Sequence, residues 1–452
     1  MKNIRSTLAT AAWLCAVLAP PRAFAAEATP NLDAGLVKSR TEHWLAPYVA
    51  AGDFNGVVLI AQGDRVLVHE AFGARAGPST SLSVASRFRV ASLSKTFTAA
   101  AIEQLAAQGK LSLKDTLEAY VPGIPNGAQI TIEQLLGHTS GVGVLDDAEV
   151  TTRCLPTADL VARLRRSKPL FAPGKDDQYS NEGYLLLGAI IEKVTGQSYA
   201  QALAQRVFEP LKLADTGVAC QGIPPGDDAT GHYPDATAHG VQPVPANEAT
   251  WNGPGSIYSN APDLLAWLRA VDTDDAWRND QLAYPFGWGK RNYAGSRPLI
   301  EQSGIEAGFT AHMALYRQGH LYAIVLNSVQ SGFQNVVPQD LEAVLFGGAV
   351  STPPVVPALR LGREALAAYA GTYRTPAIGY PMILAVHDGA LTVHWGEAPF
   401  PRALAPTGKD TFFYRSEYAK VAFQRDAHGK VTATTWQWPG GEPLRLVRQD
   451  AP

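Results

Sequence analysis

Apolar residues follow two different patterns along the chain. Residues 56–61 and 65–70 are short strand-like runs separated by a Gly-Asp pair, which predicts a β-hairpin. Residues 312–316 and 321–329 flank a Gln-Gly pair and predict a second hairpin. The segment between the hairpins has mostly helical spacing. We therefore expect an α/β (α+β) fold, in which one antiparallel sheet holds both hairpins and is flanked by helices, with a mostly helical subdomain beside it.

A proline-rich stretch, residues 351–357, interrupts this pattern and is expected to be stiff and extended. Beyond it the apolar runs are short and strand-like, as at 384–386 and 391–395, with Asp-Gly and His-Gly turns between runs. A β-barrel or a sandwich would fit. We assign one domain to residues 26–350, a linker to 351–357 and a small all-β barrel domain to 358–452.

The first 25 residues have the pattern of a signal peptide. A short basic start precedes an apolar run from Leu8 to Ala19, and Ala23-Phe24-Ala25 is a small-x-small cleavage site. A membrane anchor is the alternative, but the apolar run is too short to span a bilayer comfortably. We expect cleavage after Ala25, a periplasmic or secreted protein, and no membrane span once the signal is removed.

Charge and composition exclude some classes of partner and site. Removal of residues 1–25 leaves 35 of the 38 basic residues and all 41 acidic residues, so the net charge goes from -3 to -6. A mildly acidic protein of this kind gives no electrostatic reason to bind nucleic acid. The sequence has no His-Glu-x-x-His or Cys-x-x-Cys motif, so neither a metal nor another cofactor is expected.

Signal cleavage would remove Cys15 and leave two cysteines, Cys154 and Cys220. In an oxidising compartment these two can form a disulfide, and two unpaired buried thiols are the alternative.

The candidate chemistry begins with Ser92 and Lys95, at the start of a predicted helix. The run Phe97–Leu105 has helical spacing, and Gly109 follows as a stop. A separation of three residues places Lys95 on the same helix face as Ser92. A serine hydroxyl needs a proton acceptor to become a nucleophile, and lysine can serve once burial lowers its pKa. Because Ser-x-x-Lys is common by chance, a simple helix cap at Ser92 is the alternative.

A second polar segment, Tyr179-Ser180-Asn181, precedes the apolar helical run 184–194. A tyrosine close to a lysine can shuttle protons. The alternative is a packed Tyr179 and an Asn181 that caps the following helix.

A third segment contains Gln302, Ser303 and Gly304, followed by Ile305 and the second hairpin. A polar-Ser-Gly triplet on an edge strand can line a cleft, with its backbone N–H groups facing an acyl group. An ordinary glycine-containing strand start is the alternative.

Together, and in this order, these segments resemble the serine β-lactamase and penicillin-binding-protein superfamily, whose signature includes Ser-x-x-Lys. The resemblance is strongest to the class C β-lactamase branch, which also holds DD-peptidases, D-aminopeptidases and family VIII esterases. Residues 131–141, 209–211, 253–259 and 284–289 also fit that branch. Residues from 366 onward resemble the lipocalin-like C-terminal domain often appended to such hydrolases.

The resemblance implies roles for the polar residues. Ser92 would be the acylated nucleophile, Lys95 its base, and Tyr179 the residue that relays protons to the leaving group. Asn181 would orient the lysine and the substrate. The backbone N–H groups of Ser92 and Ile305 would form an oxyanion hole.

Gln302 departs from the family pattern, which usually has Lys or His at this position. An amide is neutral and can only hydrogen-bond, which disfavours substrates that present a carboxylate, such as penicillins. Ser303 and Gly304 would line the substrate site beside it. The chemistry of the family does not use His138, and we expect this residue to be mainly structural.

The sequence therefore predicts an exported serine hydrolase that cleaves a small-molecule ester or amide, or a peptide, through a Ser92 acyl-enzyme. A D-amino-acid peptidase or DD-carboxypeptidase acting on cell-wall-type peptides is an alternative, as is a weak β-lactamase. A third possibility, from a different class, is a catalytically idle protein that binds peptidoglycan or peptides.

Overall fold

The computed structural model describes residues 31–73, 82–145, 154–244, 251–273, 286–293, 297–357, 359–376, 381–395 and 401–449. The predicted signal peptide lies outside these ranges. Within them, no helix combines the length and apolar character that crossing a membrane requires.

The helices of the described residues lie mainly between and around the strands of the first domain. They are α1 Ala34–Ala50, α2 Ser94–Ala107, α3 Ile132–Leu136, α4 Thr157–Leu164, α5 Asn181–Thr195, α6 Tyr199–Leu203, α7 Ala261–Thr273, α8 Val337–Phe346 and α9 Arg363–Ala367.

The strands fall into a first-domain group and a C-terminal group. The first group is β1 Gly56–Gln62, β2 Arg65–Phe72, β3 Phe88–Arg89, β4 Gly217–Val218, β5 His232–Pro234, β6 Val241–Pro243, β7 Ile257–Ser259, β8 Gly289–Tyr293, β9 Arg297–Glu306, β10 Phe309–Tyr316 and β11 Leu321–Asn327. The second group is β12 Gly371–Arg374, β13 Met382–His387, β14 Ala390–Trp395, β15 Arg402–Pro406, β16 Thr411–Tyr414, β17 Ala419–Arg425, β18 Val431–Gln437 and β19 Leu444–Arg448.

Both predicted hairpins form, and they lie in one antiparallel sheet with the order β2-β1-β11-β10-β9-β8. Strand β1 is buried over almost its whole length, because both faces of the sheet are covered. Its alternate side chains enter two cores. Val57 and Leu59 pack in the core that contains α2, α5 and α7, whereas Val58 and Ile60 pack with α1 and α8. The predicted mixed fold is confirmed.

Strand β9 is an edge strand over only half of its length. The sequence placed the Gln-Ser-Gly triplet on an edge strand, but β8 pairs with β9 from Arg297 to Glu301. Among the described residues, the second half of β9, residues 302–306, has strand β10 on one side only. The polar triplet therefore lies at the start of the half of β9 whose outer side has no strand paired with it among the described residues.

The C-terminal strands β12 to β19 close into an eight-stranded barrel, which confirms the predicted all-β domain. Strand β17 shows why the sequence folds this way. Its side chains alternate between buried and exposed, and Ala419, Val421 and Phe423 point into the barrel core. The linker 351–357 contains neither helix nor strand.

A buried ion pair joins the barrel to the first domain. Arg415, in the turn between β16 and β17, donates to Asp53 Oδ1 at 2.6 Å and to the Ala51 carbonyl at 2.8 Å. Tyr418 donates to the other Asp53 oxygen at 2.8 Å. Burial raises the pKa of Asp53, and Arg415 opposes that shift. Arg415 also donates to the Gly240 carbonyl at 2.8 Å, and so holds the β5–β6 hairpin.

Replacement of Arg415 by Met is expected to lower the free energy of unfolding by about 3–5 kcal/mol, because Asp53 is left as an uncompensated buried charge. The matched control is Arg425→Met, which breaks a pair with Asp410 whose side chains are 25% and 28% exposed. It should cost about 1 kcal/mol or less. Urea titration of both variants measures the difference, and equal losses would contradict the buried-pair argument.

Candidate active site

Ser92 lies in a tight turn that the sequence did not predict. A short 3-10 turn, Ala91–Leu93, precedes α2, so Ser92 comes just before the helix and not at its first residue. Ala91 has a φ of +48°, in the left-handed region that residues with a side chain rarely adopt. Such strain is tolerated where the surrounding structure fixes the backbone. The turn presents the Ser92 hydroxyl at the junction of β3 and α2.

Lys95 is fully buried on the first turn of α2 and points at Ser92. Its Nζ donates to Ser92 Oγ at 3.1 Å, to Asn181 Oδ1 at 2.8 Å and to the Pro254 carbonyl at 3.1 Å. These three acceptors match the three hydrogens of an ammonium group.

Burial lowers the pKa of Lys95 to about 7, and the Glu182 carboxylate partly opposes this shift. A group with this pKa is present in both protonation states near neutral pH, which suits proton transfer. The aromatic rings of Tyr179 and Tyr184 lie 4.7 and 5.6 Å from Nζ and stabilise the cationic form.

The Tyr179 hydroxyl donates to Ser92 Oγ at 2.7 Å. Desolvation of the hydroxyl raises the pKa of Tyr179 although the residue as a whole is 55% exposed, while the bond to Ser92 opposes the shift. The phenol therefore keeps its proton near neutral pH and can donate it.

His138 positions Tyr179. The imidazole stacks on the Tyr179 ring at 4.8 Å, and its Nδ1 accepts from the Ser180 amide at 3.0 Å. Burial, helped by the charge of Lys95, lowers the pKa of His138 to about 4, so the ring is neutral. These contacts are those of a residue that fixes the Tyr179 segment without touching Ser92.

The start of helix α5 explains why Asn181 is available to the site. Ser180, not Asn181, caps the helix, since its hydroxyl accepts from the Gly183 amide at 2.9 Å. The Asn181 side chain is thereby left to accept from Lys95. Burial raises the pKa of Glu182, the next residue, whose carboxylate accepts from the Leu145 amide at 3.0 Å.

Gly304 brings strand β9 against the Ser92 turn. A Cβ atom at this position would lie 2.3 Å from the Val90 carbonyl oxygen and 3.0 Å from the Ser92 amide nitrogen. Such distances would force the strand away, so only glycine permits this approach. The contact places Ile305, the next residue, beside the same turn.

Gln302 and Ser303 point to opposite faces of β9. The Gln302 amide donates to the main-chain carbonyls of Gly287, at 3.0 Å, and Ser92, at 3.3 Å. The Ser303 hydroxyl shares a hydrogen bond of 2.9 Å with His312 Nδ1. Burial lowers the pKa of His312 to about 4, so neither partner supplies a cation at neutral pH.

A cavity of about 160 Å³ opens at the Ser92 turn, lined by Ala91, Ser92, Asn181, Trp251, Pro254, Gly255, Ile305 and Glu306. A disulfide between Cys154 and Cys220, with Cα atoms 5.6 Å apart, links the two loops that follow α3 and β4. In the described part of the chain, no cluster of histidine, cysteine and acidic residues could hold a metal ion.

The structure thus brings together Ser92, Lys95, Tyr179 and Asn181, and places the second half of β9 beside them. Sequence reasoning missed Glu182, Glu306 and the Pro254 carbonyl. A main-chain acceptor carries no signal in residue type. The two glutamates follow motif residues directly, but nothing in the sequence says that they face Lys95 or the cavity.

Comparisons with curated proteins find relatives that match about two thirds of the chain. Penicillin-binding protein 4* of Bacillus subtilis (strain 168) is 28% identical over 337 residues, which are 66% of this chain and 74% of that protein. Further curated relatives are matched over 60% of their own length.

Two solved structures illustrate the likeness in fold. The octameric penicillin-binding protein homologue from Pyrococcus abyssi superposes with a TM-score of 0.60 at 21% identity, over 92% of this chain and 100% of that chain. A D-stereospecific amidohydrolase from Streptomyces sp. superposes with a TM-score of 0.57 at 25% identity, over 70% of this chain and 100% of that one.

Family models match both domains. Residues 361–448 match a domain of unknown function (DUF3471), which coincides with the barrel. Residues 41–345, which include every site residue described above, match the beta-lactamase family. The chain belongs to the beta-lactamase family.

Proposed function

We propose that the protein is an exported serine hydrolase that cleaves an ester or amide through an acyl-enzyme on Ser92. One observation carries the proposal: Ser92 Oγ lies between Lys95 Nζ at 3.1 Å and the Tyr179 hydroxyl at 2.7 Å. A base on one side of a nucleophile and a proton donor on the other is the arrangement that acyl transfer requires. The export is proposed from residues 1–25 alone.

The surroundings of Lys95 favour its action as a base. A neutral amine has two N–H donors and one lone pair. Asn181 Oδ1 and the Pro254 carbonyl accept the two hydrogens, so the lone pair faces Ser92 Oγ. Ser92 then attacks the substrate carbonyl carbon as its proton moves to Lys95. The cost of burying a charge keeps the amine neutral in a large fraction of molecules near pH 7.

Collapse of the tetrahedral intermediate expels the leaving group, which takes a proton from Tyr179. The proton held by Lys95 then passes to the Tyr179 phenolate, whose ring centre lies 4.7 Å from Nζ, so that both groups regain their starting protonation states. Attack by water on the acyl-enzyme then releases the acid and restores Ser92. The continuity of the hydrogen-bonded chain from Lys95 through Ser92 to Tyr179 favours an enzyme over an idle binding protein.

The main-chain amides of Ser92 and Ile305 are the proposed oxyanion hole. Contact between Gly304 and the Ser92 turn holds the two residues at one wall of the cavity. Fixed N–H donors stabilise the charge that develops on the carbonyl oxygen in the transition state.

The neutral groups on β9 favour substrates without a carboxylate beside the scissile bond. Gln302 uses its amide on main-chain carbonyls, and the neutral His312 stands behind Ser303. We infer that uncharged esters and small amides react faster than penicillins. Hydrolysis of amides of D-residues is the second candidate, favoured by the likeness to the Streptomyces D-stereospecific amidohydrolase.

Hydrolysis of p-nitrophenyl butyrate by the mature protein tests the proposal. Ser92→Ala should lower turnover by at least about 10⁴-fold, because loss of a nucleophile removes the whole covalent pathway. Ser112→Ala, which removes an exposed hydroxyl, is the control and should keep full activity. Absorbance of the released nitrophenolate gives the rate, and turnover that persists in Ser92→Ala would refute the assignment.

The pH dependence of kcat/KM follows from the Lys95 pKa. The base form must be neutral, so kcat/KM should rise about tenfold per pH unit below about pH 7 and level off above it. Because Glu182 raises the Lys95 pKa, Glu182→Gln should move the inflection to lower pH. A stopped-flow pH series measures both profiles, and an inflection that stays fixed in Glu182→Gln would contradict the role of Lys95.

Gly304→Ala should slow acylation by about 10² to 10³-fold, the usual effect of losing one oxyanion donor, because the new methyl group pushes β9 off the Ser92 turn. Gly362→Ala is the control, since nothing lies within 4 Å of an added Cβ there. Single-turnover kinetics with p-nitrophenyl butyrate separate acylation from later steps. An acylation rate within twofold of wild type would exclude Ile305 from the oxyanion hole.

A further inference from the structure

Glu306 is a charged residue in the cavity that the proposed reaction does not use. It lies two residues beyond Gly304 on β9, so its side chain projects from the same face of the strand, towards the Ser92 turn. Glu306 lines the cavity together with Ser92 and Asn181. It also lines a second cavity of about 260 Å³, so its carboxylate stands between the two spaces.

The Glu306 carboxylate is incompletely paired. Among the residues that the structure describes, its ion-pair partner is Arg89 on β3, whose Nη1 lies 3.7 Å from Oε1. This separation is longer than a good hydrogen bond, and within the described part of the chain the ion pair uses only one carboxylate oxygen. Both side chains are 18% exposed. Burial raises the pKa of Glu306 to about 7, and Arg89 opposes the shift, so a further cation would favour the ionised form.

The position of the cavity indicates which part of the substrate binds there. Its lining includes Ser92, Asn181 and Ile305 but not Tyr179, the proposed proton donor to the leaving group. A carbonyl bound at Ser92 with its leaving group towards Tyr179 therefore directs its acyl chain into this cavity. The acyl chain then runs towards Glu306.

We propose that Glu306 selects substrates whose acyl portion carries a protonated amine, which the carboxylate binds in the cavity. The inference rests on the proposed acyl-enzyme at Ser92 and adds the charge of the preferred substrate. Charge-assisted hydrogen bonds between an ammonium and a carboxylate are among the stronger polar contacts in a half-buried site. An amino-acyl ester or amide is the class of substrate that this pocket fits.

Two p-nitrophenyl esters test the inference: the β-alanyl ester and the butyryl ester, whose acyl chains have equal length and end in an ammonium and a methyl group. The measurement is the ratio of their kcat/KM values at about pH 8, above the Glu306 pKa. The ratio should exceed one in the wild type and fall about tenfold in Glu306→Gln, the usual effect of losing one charged hydrogen bond. The ratio cancels any change in Lys95 or in the oxyanion hole.

Two further variants test the direction of the change in this ratio and its specificity for Glu306. Arg89→Gln removes the competing cation but also raises the Glu306 pKa, so the ratio should rise above that of the wild type at a pH high enough to keep Glu306 ionised, whereas Glu306→Gln lowers the ratio. Glu364→Gln, which removes an exposed negative charge from the barrel domain, should leave the ratio unchanged. An unchanged ratio in Glu306→Gln, with butyrate turnover intact, would overturn the inference and leave the proposed reaction standing.

If the proposed reaction itself is wrong, the protein turns over neither ester. The inference is then tested by calorimetric binding of β-alanine amide to the Ser92→Ala protein. Binding should weaken about tenfold when Glu306→Gln is added. Equal affinity with and without Glu306 would overturn the inference.

Discussion

Burial of the Lys95 amine is the constraint on which the site depends. An amine in this position must be surrounded by acceptors in both protonation states, because an unmatched polar group in the interior is costly. Asn181, the Pro254 carbonyl and Ser92 meet that need, and they come from three distant parts of the chain. The hydrogen bonds of Lys95 Nζ therefore hold α2 between α5 and the β7 segment, in addition to the apolar core.

Much of the fold follows from local pattern. The hairpins at β1–β2 and β10–β11 have strong alternation and short turns, and both formed as expected. Helix α5 ends at Gly196 in the left-handed region, but its cap is Ser180 and not Asn181, the cap that the sequence offered as an alternative. The Ser92 turn was not predicted, since a non-glycine residue in the left-handed region, Ala91, has no local signal and is imposed by tertiary packing.

The sequence predicts which residue types form the site, but it does not predict the protonation states of those residues. Ser92, Lys95, Tyr179 and Asn181 stand in spaced motifs, and the family likeness gives them roles. The lowered pKa of Lys95 depends on burial, which spacing alone cannot measure. The alignment of Glu306 with the cavity depends on the register of β9 against the Ser92 turn, a contact between segments about 200 residues apart.

The Asp53–Arg415 pair has a consequence for how far the first domain is complete without the barrel. The barrel supplies Arg415 and Tyr418, two side chains that hydrogen-bond the Asp53 carboxylate. Phe413 and Tyr418 of the barrel also pack in the core that contains α1 and α8. This part of the first domain's core is therefore complete only when the barrel is in place.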